Sequence, residues 1–219
     1  MATFLKSCRA RVGVLLAMWI CWAPALAAGD SSTSYEDCLS HPHDVRLRIE
    51  TEMGAIDAEL YGTRAPITVC NFLRYLRAGL FDGGQFVRTV RPENQGDKPV
   101  KISVIQADIR DGGKAFAPIP MERTVTTTIH HVDGAISMPR GDPDTATSGF
   151  FISVGDQPSL DFGGKRNPDG QGFAAFGRVI RGMDAVKHIW AASASGEKLT
   201  PPILISRVRL LSGERSEQR

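Results

Sequence analysis

The chain has 219 residues, enough for one compact domain and too few for two domains of ordinary size. Apolar residues make up 42% and charged residues 23%, which is the composition of a soluble globular protein. The formal net charge is +2, but residues 1–27 contribute three basic and no acidic residues, so the remainder carries 23 basic and 24 acidic side chains. This balance excludes the extended basic surface that nucleic acids or anionic membranes require.

Residues 1–27 have the organisation of a signal peptide. Three basic residues open the segment, the apolar run Val14 to Trp22 follows, and Ala25 and Ala27 supply the small residues of a cleavage site. The apolar run is shorter than the roughly 20 residues that a membrane-spanning helix requires. We therefore expect export, to the periplasm or beyond the cell, with no membrane attachment after cleavage.

Two cysteines, Cys38 and Cys70, remain after the predicted cleavage. In an oxidising compartment they are compatible with one disulfide, and two unpaired thiols are the alternative. Their spacing fits no zinc pattern. Cys38 belongs to residues 28–44, a polar segment that we predict to be a flexible N-terminal arm, loose enough to bring Cys38 to Cys70.

Residues 45–212 have the pattern of short β-strands joined by tight turns. Val45, Leu47 and Ile49 alternate with charged residues, and a second alternating run follows the turn at Gly54, which predicts a hairpin. Further strands are predicted from the same kind of pattern at 85–90, 100–108, 135–138, 150–154, 174–180 and 203–211. Residues 213–219 form a polar C-terminal tail.

Two helices interrupt the strands. The first begins at Pro66, carries apolar residues three and four apart, and ends before Gly79. The second is indicated by Met183, Val186 and Ile189. Many short strands, two separated helices and no regular β-α-β alternation predict a mainly β protein, an antiparallel barrel or sandwich.

An ordered series of motifs resembles the cyclophilin family. Phe86-Val87-Arg88 stands where the family has Phe-His-Arg, and Val104-Ile105-Gln106 stands where it has an apolar pair followed by Gln. The other matching segments are Thr51–Gly54, Ala65–Phe72, Gly134–Met138, Ser148–Ile152, Leu160-Asp161 and Phe176–Val179. Each motif is weak alone, but their order over nearly the whole mature chain is specific, and the bacterial exported branch is the nearest resemblance.

This resemblance implies a closed antiparallel eight-stranded barrel with two α-helices capping it. It also implies a peptidyl-prolyl cis-trans isomerase, acting as a monomer on unfolded or loop X–Pro segments of exported proteins, without metal or cofactor. Arg88 matches the catalytic arginine of the family and Gln106 its hydrogen-bonding neighbour. The substrate-binding residues that it implies are Phe86, Val104, Phe151, Leu160 and Phe173. For Phe173, a place at the pocket rim and a place in the core are equally compatible with the sequence.

An arginine suits this reaction for a physical reason. Amide resonance sets a barrier of about 18–20 kcal/mol to rotation, and twisting the bond returns a lone pair to the prolyl nitrogen. A donor aimed at that nitrogen binds the twisted state more strongly than the planar one, and only such differential binding accelerates the reaction. Arg88 is a permanently charged donor whose planar fork Gln106 can orient.

Several positions depart from the family pattern. Val87 replaces a His of the family, Ser103 a pocket Phe, Gly149 a Gln, Ser159 an aromatic residue and Arg140 an Asn. The loop between Arg88 and Gln106 is also longer than in the family. These departures leave open a second hypothesis, a proline-peptide-binding module or holdase chaperone with little catalytic activity. A carbohydrate binder would need aromatic platforms, and only one Trp lies outside residues 1–27.

Two adjacent histidines, His130 and His131, raise the question of a metal site. Adjacent residues on a strand point to opposite faces, and no Cys or acid stands at a helpful spacing. We interpret both as surface or loop histidines and expect no metal.

Overall fold

Nine β-strands form one antiparallel sheet in the computed structural model, which describes residues 35–110 and 114–211. Eight of them close into a barrel in the order β1-β2-β7-β5-β6-β4-β3-β9, because β1 also pairs with β9, while the short β8 pairs with β9 alone. The strands are β1 Val45–Thr51, β2 Gly54–Leu60, β3 Gln85–Val90, β4 Val104–Asp108, β5 Ala135–Met138, β6 Phe150–Ser153, β7 Ala174–Arg181, β8 Ala194–Ser195 and β9 Lys198–Leu210. The prediction of a mainly β, closed eight-stranded antiparallel barrel is confirmed.

Four α-helices accompany the strands in the described residues, where the sequence predicted two. They are α1 Tyr35–Ser40, α2 Pro66–Arg77, α3 Thr124–Thr127 and α4 Met183–Ala191. The two predicted helices are the longer pair, α2 and α4. The additional α1 and α3 have six and four residues, too few for an apolar repeat to be recognised in the sequence.

The segment before β1 differs from the flexible arm predicted for residues 28–44. Tyr35–Ser40 is helical, its Cys38 is buried, and a disulfide bond joins Cys38 to Cys70 of α2. This covalent link and the packing of Tyr35 and Leu39 against the core hold α1 in place. Residues 28–34, the predicted signal peptide and the predicted tail 213–219 lie outside the described residues.

Helix α2 lies against the barrel through its apolar stripe. Phe72 stacks on Phe81 with 4.5 Å between ring centroids and meets Phe150 edge to face at 5.6 Å. The N-terminus of α2 receives no side-chain cap from Ala65. Instead, the carboxylate of Glu122 accepts hydrogen bonds from the backbone nitrogens of residues 67 and 68 at 3.1 and 2.8 Å. A distant acid therefore satisfies helix donors that the local sequence leaves unpaired.

Candidate active site

A β-bulge at Val87 determines which residues of β3 reach the surface. Phe86 pairs with Ala107 of β4, whereas Arg88 pairs with Gln106, so two steps along β3 correspond to one step along β4. Phe86 therefore points into the core, where it is fully buried against Phe150, and Arg88 lies on the same face as Gln106. The resemblance implied Phe86 as a substrate-binding residue, and the structure instead places it in the barrel core, because the bulge at Val87 puts Phe86 and Arg88 on opposite faces.

Arg88 and Gln106 lie at one side of a surface pocket of about 190 Å³. The pocket also contains four of the predicted substrate-binding residues, Val104, Phe151, Leu160 and Phe173. Its remaining lining residues are Ile102, Pro139, Arg140, Arg166 and Asn167. The structure thus brings together every predicted site residue except Phe86. Of the five departures from the family pattern, only Arg140 lines the pocket.

The apolar wall of this pocket is a cluster distinct from the barrel core. The cluster consists of Val90, Ile102, Val104, Phe151 and Leu160, of which all but the fully buried Val90 line the pocket. Phe173 packs on its edge, with its ring 5.6 Å from that of Phe151 and nearly perpendicular to it. Ile102 was missed in the sequence analysis, although it stands two residues before Val104 and four before Gln106, the spacing of one strand face.

Two acceptors hold the guanidinium of Arg88. Its Nη1 donates to Oε1 of Gln106 at 3.0 Å, and its Nε and Nη2 donate to one carboxylate oxygen of Glu197 at 2.9 and 2.5 Å. A guanidinium has five N–H groups, so one N–H on Nη1 and one on Nη2 remain for a ligand. Glu197, in the turn between β8 and β9, was not predicted, since nothing in its local sequence marks it as a partner of Arg88.

Glu197 also binds a second cation. Lys98, in the long loop after β3, donates to the other carboxylate oxygen of Glu197 at 2.8 Å. Burial alone would raise the pKa of Glu197, but the hydrogen bonds from Lys98 and Arg88 outweigh it and hold the pKa below its ordinary range. Glu197 is therefore ionised at neutral pH, and the carboxylate links the long loop to Arg88.

Arg140 anchors the loop that carries Phe173. Its side chain is 2% exposed and forms a bidentate pair with Asp169 at 2.8 and 3.0 Å. Its Nε donates to the carbonyl oxygen of Gly172 at 2.8 Å, and its guanidinium lies 5.2 Å from the centre of the Phe173 ring. Arg140 thus fixes the pocket rim with its side chain, a role that the sequence analysis did not assign.

The same long loop, which joins β3 to β4, is also held by Gln95 and Arg166. The amide of Gln95 bonds the backbone nitrogen and oxygen of Ile102 at 3.2 and 2.8 Å. Nη1 of Arg166 donates to Oε1 of Gln95 at 2.9 Å and to the carbonyl oxygen of Val100 at 2.6 Å. These bonds position Ile102 in the pocket wall and join the loop to the segment that follows Leu160.

His131 lies in the loop between α3 and β5, as one of the two expected placements had it, but it is buried and not at the surface. Its side chain is fully buried, its Nδ1 lies 2.6 Å from Asp161 and its Nε2 lies 2.9 Å from the hydroxyl of Ser137. The order Ser-His-Asp resembles a hydrolase triad, but Ser137 is completely buried on β5 and cannot meet a substrate. The imidazole instead stacks on Phe151 at 5.9 Å, behind the pocket wall.

Two further features bear on function. No helix in residues 35–110 and 114–211 is long and apolar enough to cross a membrane. Within the same residues, no three His, Cys, Asp or Glu side chains converge as metal ligands would.

The family model that matches this chain is described as cyclophilin type peptidyl-prolyl cis-trans isomerase/CLD and covers residues 46–210. The matched span contains the barrel from the second residue of β1 to the end of β9, and all of the pocket described above. The chain belongs to this cyclophilin family. It is an enzyme of the peptidyl-prolyl cis-trans isomerase class, as the names of its relatives indicate.

Similar proteins come from bacteria and plants. A peptidyl-prolyl cis-trans isomerase, cyp18, of Streptomyces antibioticus is 31% identical over 179 residues, covering 75% of this chain and 98% of that protein. Peptidyl-prolyl cis-trans isomerase CYP18-2 of Arabidopsis thaliana is 34% identical over 145 residues, covering 65% of this chain and 79% of that protein.

Solved structures show the same fold. A cyclophilin type peptidyl-prolyl cis-trans isomerase of Cryptosporidium parvum superposes with a TM-score of 0.59 at 19% identity, covering 78% of this chain and 99% of that one. The same protein was also solved in the presence of the dipeptide Ala-Pro, and that structure superposes with a TM-score of 0.58.

Proposed function

We propose that this isomerase accelerates X–Pro isomerisation during the folding of exported proteins, with Arg88 as its catalytic residue and Gln106 as the residue that orients it. The observation that carries this assignment is the guanidinium of Arg88, held from two sides beside an apolar pocket. A proline ring matches the apolar wall of Phe151 and Leu160, and the remaining N–H groups of Arg88 match the prolyl nitrogen.

The proposed mechanism divides the site into two halves. The apolar wall holds the proline ring while the preceding residue rotates about the amide bond. As conjugation breaks, the prolyl nitrogen gains a lone pair, and a free N–H of Arg88 donates to it. Because Gln106 and Glu197 already hold the guanidinium, it does not have to reorganise when the transition state forms.

The structure of a similar protein supports a proline-containing peptide as the substrate type. The Cryptosporidium parvum enzyme was solved in the presence of Ala-Pro, so a proline-containing peptide is a reasonable occupant of the corresponding region here. We propose unfolded or loop X–Pro segments as substrates, because a surface pocket of this size admits an extended chain but not a folded domain.

Export is supported by two observations. Residues 1–27 have the organisation of a signal peptide, and the Cys38–Cys70 disulfide is of the kind that persists in oxidising compartments. We propose the periplasm as the site of action, or the space outside the cell. N-terminal sequencing of the protein from its native source should begin at Ala28, and an intact Met1 on the mature protein would contradict export by cleavage.

The holdase hypothesis is tested by the same assay that tests catalysis. Exchange spectroscopy by NMR on a short Ala-Pro-containing peptide measures cis/trans interconversion directly, with and without the protein. We expect interconversion above the slow uncatalysed rate at substoichiometric protein. Binding of the peptide without any rate increase would instead establish a proline-binding module.

A further inference from the structure

A second cleft lies beside the proline pocket. It has a volume of about 300 Å³ and is lined by Lys98, Pro99, Val100, Lys165, Arg166 and Asn167. Arg166 and Asn167 line both cavities, so the two are neighbours that share one wall. A peptide whose proline occupies the pocket therefore has this cleft within reach of its flanking residues.

The charges around the two cavities do not balance. Their linings hold five cations, namely Arg88, Lys98, Arg140, Lys165 and Arg166. Glu197 pairs with the first two of these cations, and Asp169 pairs with Arg140. Within residues 35–110 and 114–211, Lys165 and Arg166 have no carboxylate partner. Glu197 attracts Arg166 without forming an ion pair with it, so five cations share the two carboxylates Glu197 and Asp169. The cleft therefore keeps an excess of positive charge at Lys165 and Arg166.

Arg166 is positioned to bind an anionic group of a ligand. Its guanidinium is partly buried, and burial lowers its pKa, which means that the charged form is under-solvated. Nη1 binds only neutral oxygens, those of Gln95 and Val100. Among the described residues Nε and Nη2 form no hydrogen bond, so a fork of donors remains for a planar acceptor. Lys165 is exposed beside it.

We propose that this cleft binds a carboxylate of the substrate close to the isomerised proline, and that Arg166 and Lys165 make the enzyme selective for acidic X–Pro segments. This inference rests on the proposed function and names its substrate class. The carboxylate belongs to an Asp or Glu side chain or to a chain terminus. A basic residue next to the proline would be repelled by Arg166 and Lys165, and an apolar residue would leave both cations without an anionic partner.

The test compares peptides that differ by a single charge. Exchange spectroscopy gives KM and kcat for X–Pro peptides with Glu or Gln at each position next to proline, with blocked termini. We expect about a fivefold lower KM for the best-placed Glu peptide than for its Gln counterpart, and a smaller ratio at 0.5 M salt. A peptide with a free C-terminal carboxylate, compared with its amide, separates a chain terminus from a side chain.

Three variants assign the effect to the cleft. Lys165→Gln lies outside the proline pocket, so it should reduce the Glu-to-Gln preference toward unity while turnover of the neutral peptide persists. Arg166→Gln should also reduce the preference, and it is compared only through the Glu-to-Gln ratio, because Arg166 also positions Ile102 in the pocket wall. Lys187→Gln removes an exposed cation of α4 that lines neither cavity, and it should keep the full preference. Arg166→Lys retains the positive charge and should keep part of the Glu-to-Gln preference.

Each outcome bears on one claim. Equal KM values for all Glu and Gln peptides in the wild-type enzyme would overturn the selectivity while leaving the isomerase function intact. An equal loss of preference in Lys187→Gln would show that net charge, not the cleft, is responsible. Absence of turnover with every peptide would instead overturn the proposed function.

Discussion

The Nε and Nη2 atoms of Arg88 both donate to a single carboxylate oxygen of Glu197, which stands 109 residues further along the chain. Gln106 accepts from Nη1 on the opposite side, so the planar guanidinium is fixed in its own plane. The Glu197 side chain is only 20% exposed, which reduces screening by solvent. The direction in which Arg88 of β3 presents its remaining N–H groups therefore depends on Gln106 of β4 and on Glu197 of the turn between β8 and β9.

Substitution Arg88→Ala should lower kcat by about 100-fold and change KM little. In the proposed mechanism the guanidinium donates to the prolyl nitrogen only as conjugation breaks, and loss of one such donor costs about that factor. Arg88→Lys should recover little activity, because an ammonium cannot be held as a planar fork by Gln106 and Glu197. NMR exchange measurements give both constants, and equal kcat in the wild type and Arg88→Ala would place catalysis elsewhere.

Substitution Glu197→Gln should lower kcat about fivefold at pH 7, because the neutral amide holds Arg88 less firmly. The effect should depend on pH. The pKa of Glu197 is lowered in the folded protein, so its stabilising contribution is present above its ordinary value of 4.5 and is lost as the pH falls through the folded pKa. Wild-type kcat should therefore approach that of the variant only below about pH 4.5.

The same substitution has a stability readout. The difference in unfolding free energy between wild type and Glu197→Gln should be greatest near neutrality and shrink in acid, as urea titrations at several pH values would show. A constant difference from pH 3.5 to 7 would mean that the carboxylate charge is not what holds Arg88.

Strand alternation and helix periodicity were predictable from this sequence, because each depends on neighbours within one segment. The hairpin of β1 and β2, helix α2 and strand β6 with Phe151 lie where these local patterns predicted them. The start of β9 was placed too late, at 203 instead of Lys198, since Pro201 and Pro202 argue against a strand interior. Here β9 pairs with the two-residue β8, a partner too short to be recognised.

The site was predictable only in part, for a different physical reason. Arg88, Gln106 and Phe151 were found through their motifs, but the bulge that separates Phe86 from Arg88 is a property of pairing, not of β3 alone. Glu197 and Arg166 come from loops that meet only when the barrel closes. Their role follows from hydrogen bonds across many residues, which neither composition nor spacing encodes.

Substitution Phe151→Ala should raise KM about tenfold and lower kcat as well, because Phe151 lines the pocket that we propose holds the proline ring. The residue is almost fully buried, so truncation should also destabilise the fold, by about 3–5 kcal/mol if no repacking occurs. Phe151→Leu, which keeps most of the apolar volume, separates the two effects. Phe173→Ala, at the pocket rim, should have the smaller effect on KM, and the reverse order would contradict this assignment of wall and rim.

Substitution Glu122→Ala should destabilise the protein by about 1–2 kcal/mol, the usual cost of removing a helix cap. The carboxylate bonds the backbone nitrogens of residues 67 and 68, and Ala65 offers no replacement. Since Glu122 does not line the pocket, kcat and KM on a neutral peptide should be unchanged. Urea unfolding measures the loss, and Val125→Ala, an exposed position nearby in sequence, provides a matched control that should unfold like the wild type.

Removal of the Cys38–Cys70 disulfide should lower stability without lowering activity. The bond joins residues 32 apart, for which the chain-entropy relation gives about 3–4 kcal/mol of stabilisation, exerted through the unfolded chain. The double variant Cys38→Ser, Cys70→Ser should therefore unfold at a lower urea concentration, and dithiothreitol should shift the wild type toward it but leave the variant unaffected. Neither α1 nor α2 lines the pocket, so kcat and KM should stay within twofold of the wild type under conditions where both proteins are folded. Unfolding curves that coincide with and without dithiothreitol would show that the packing of α1, not the covalent bond, holds this segment to the barrel.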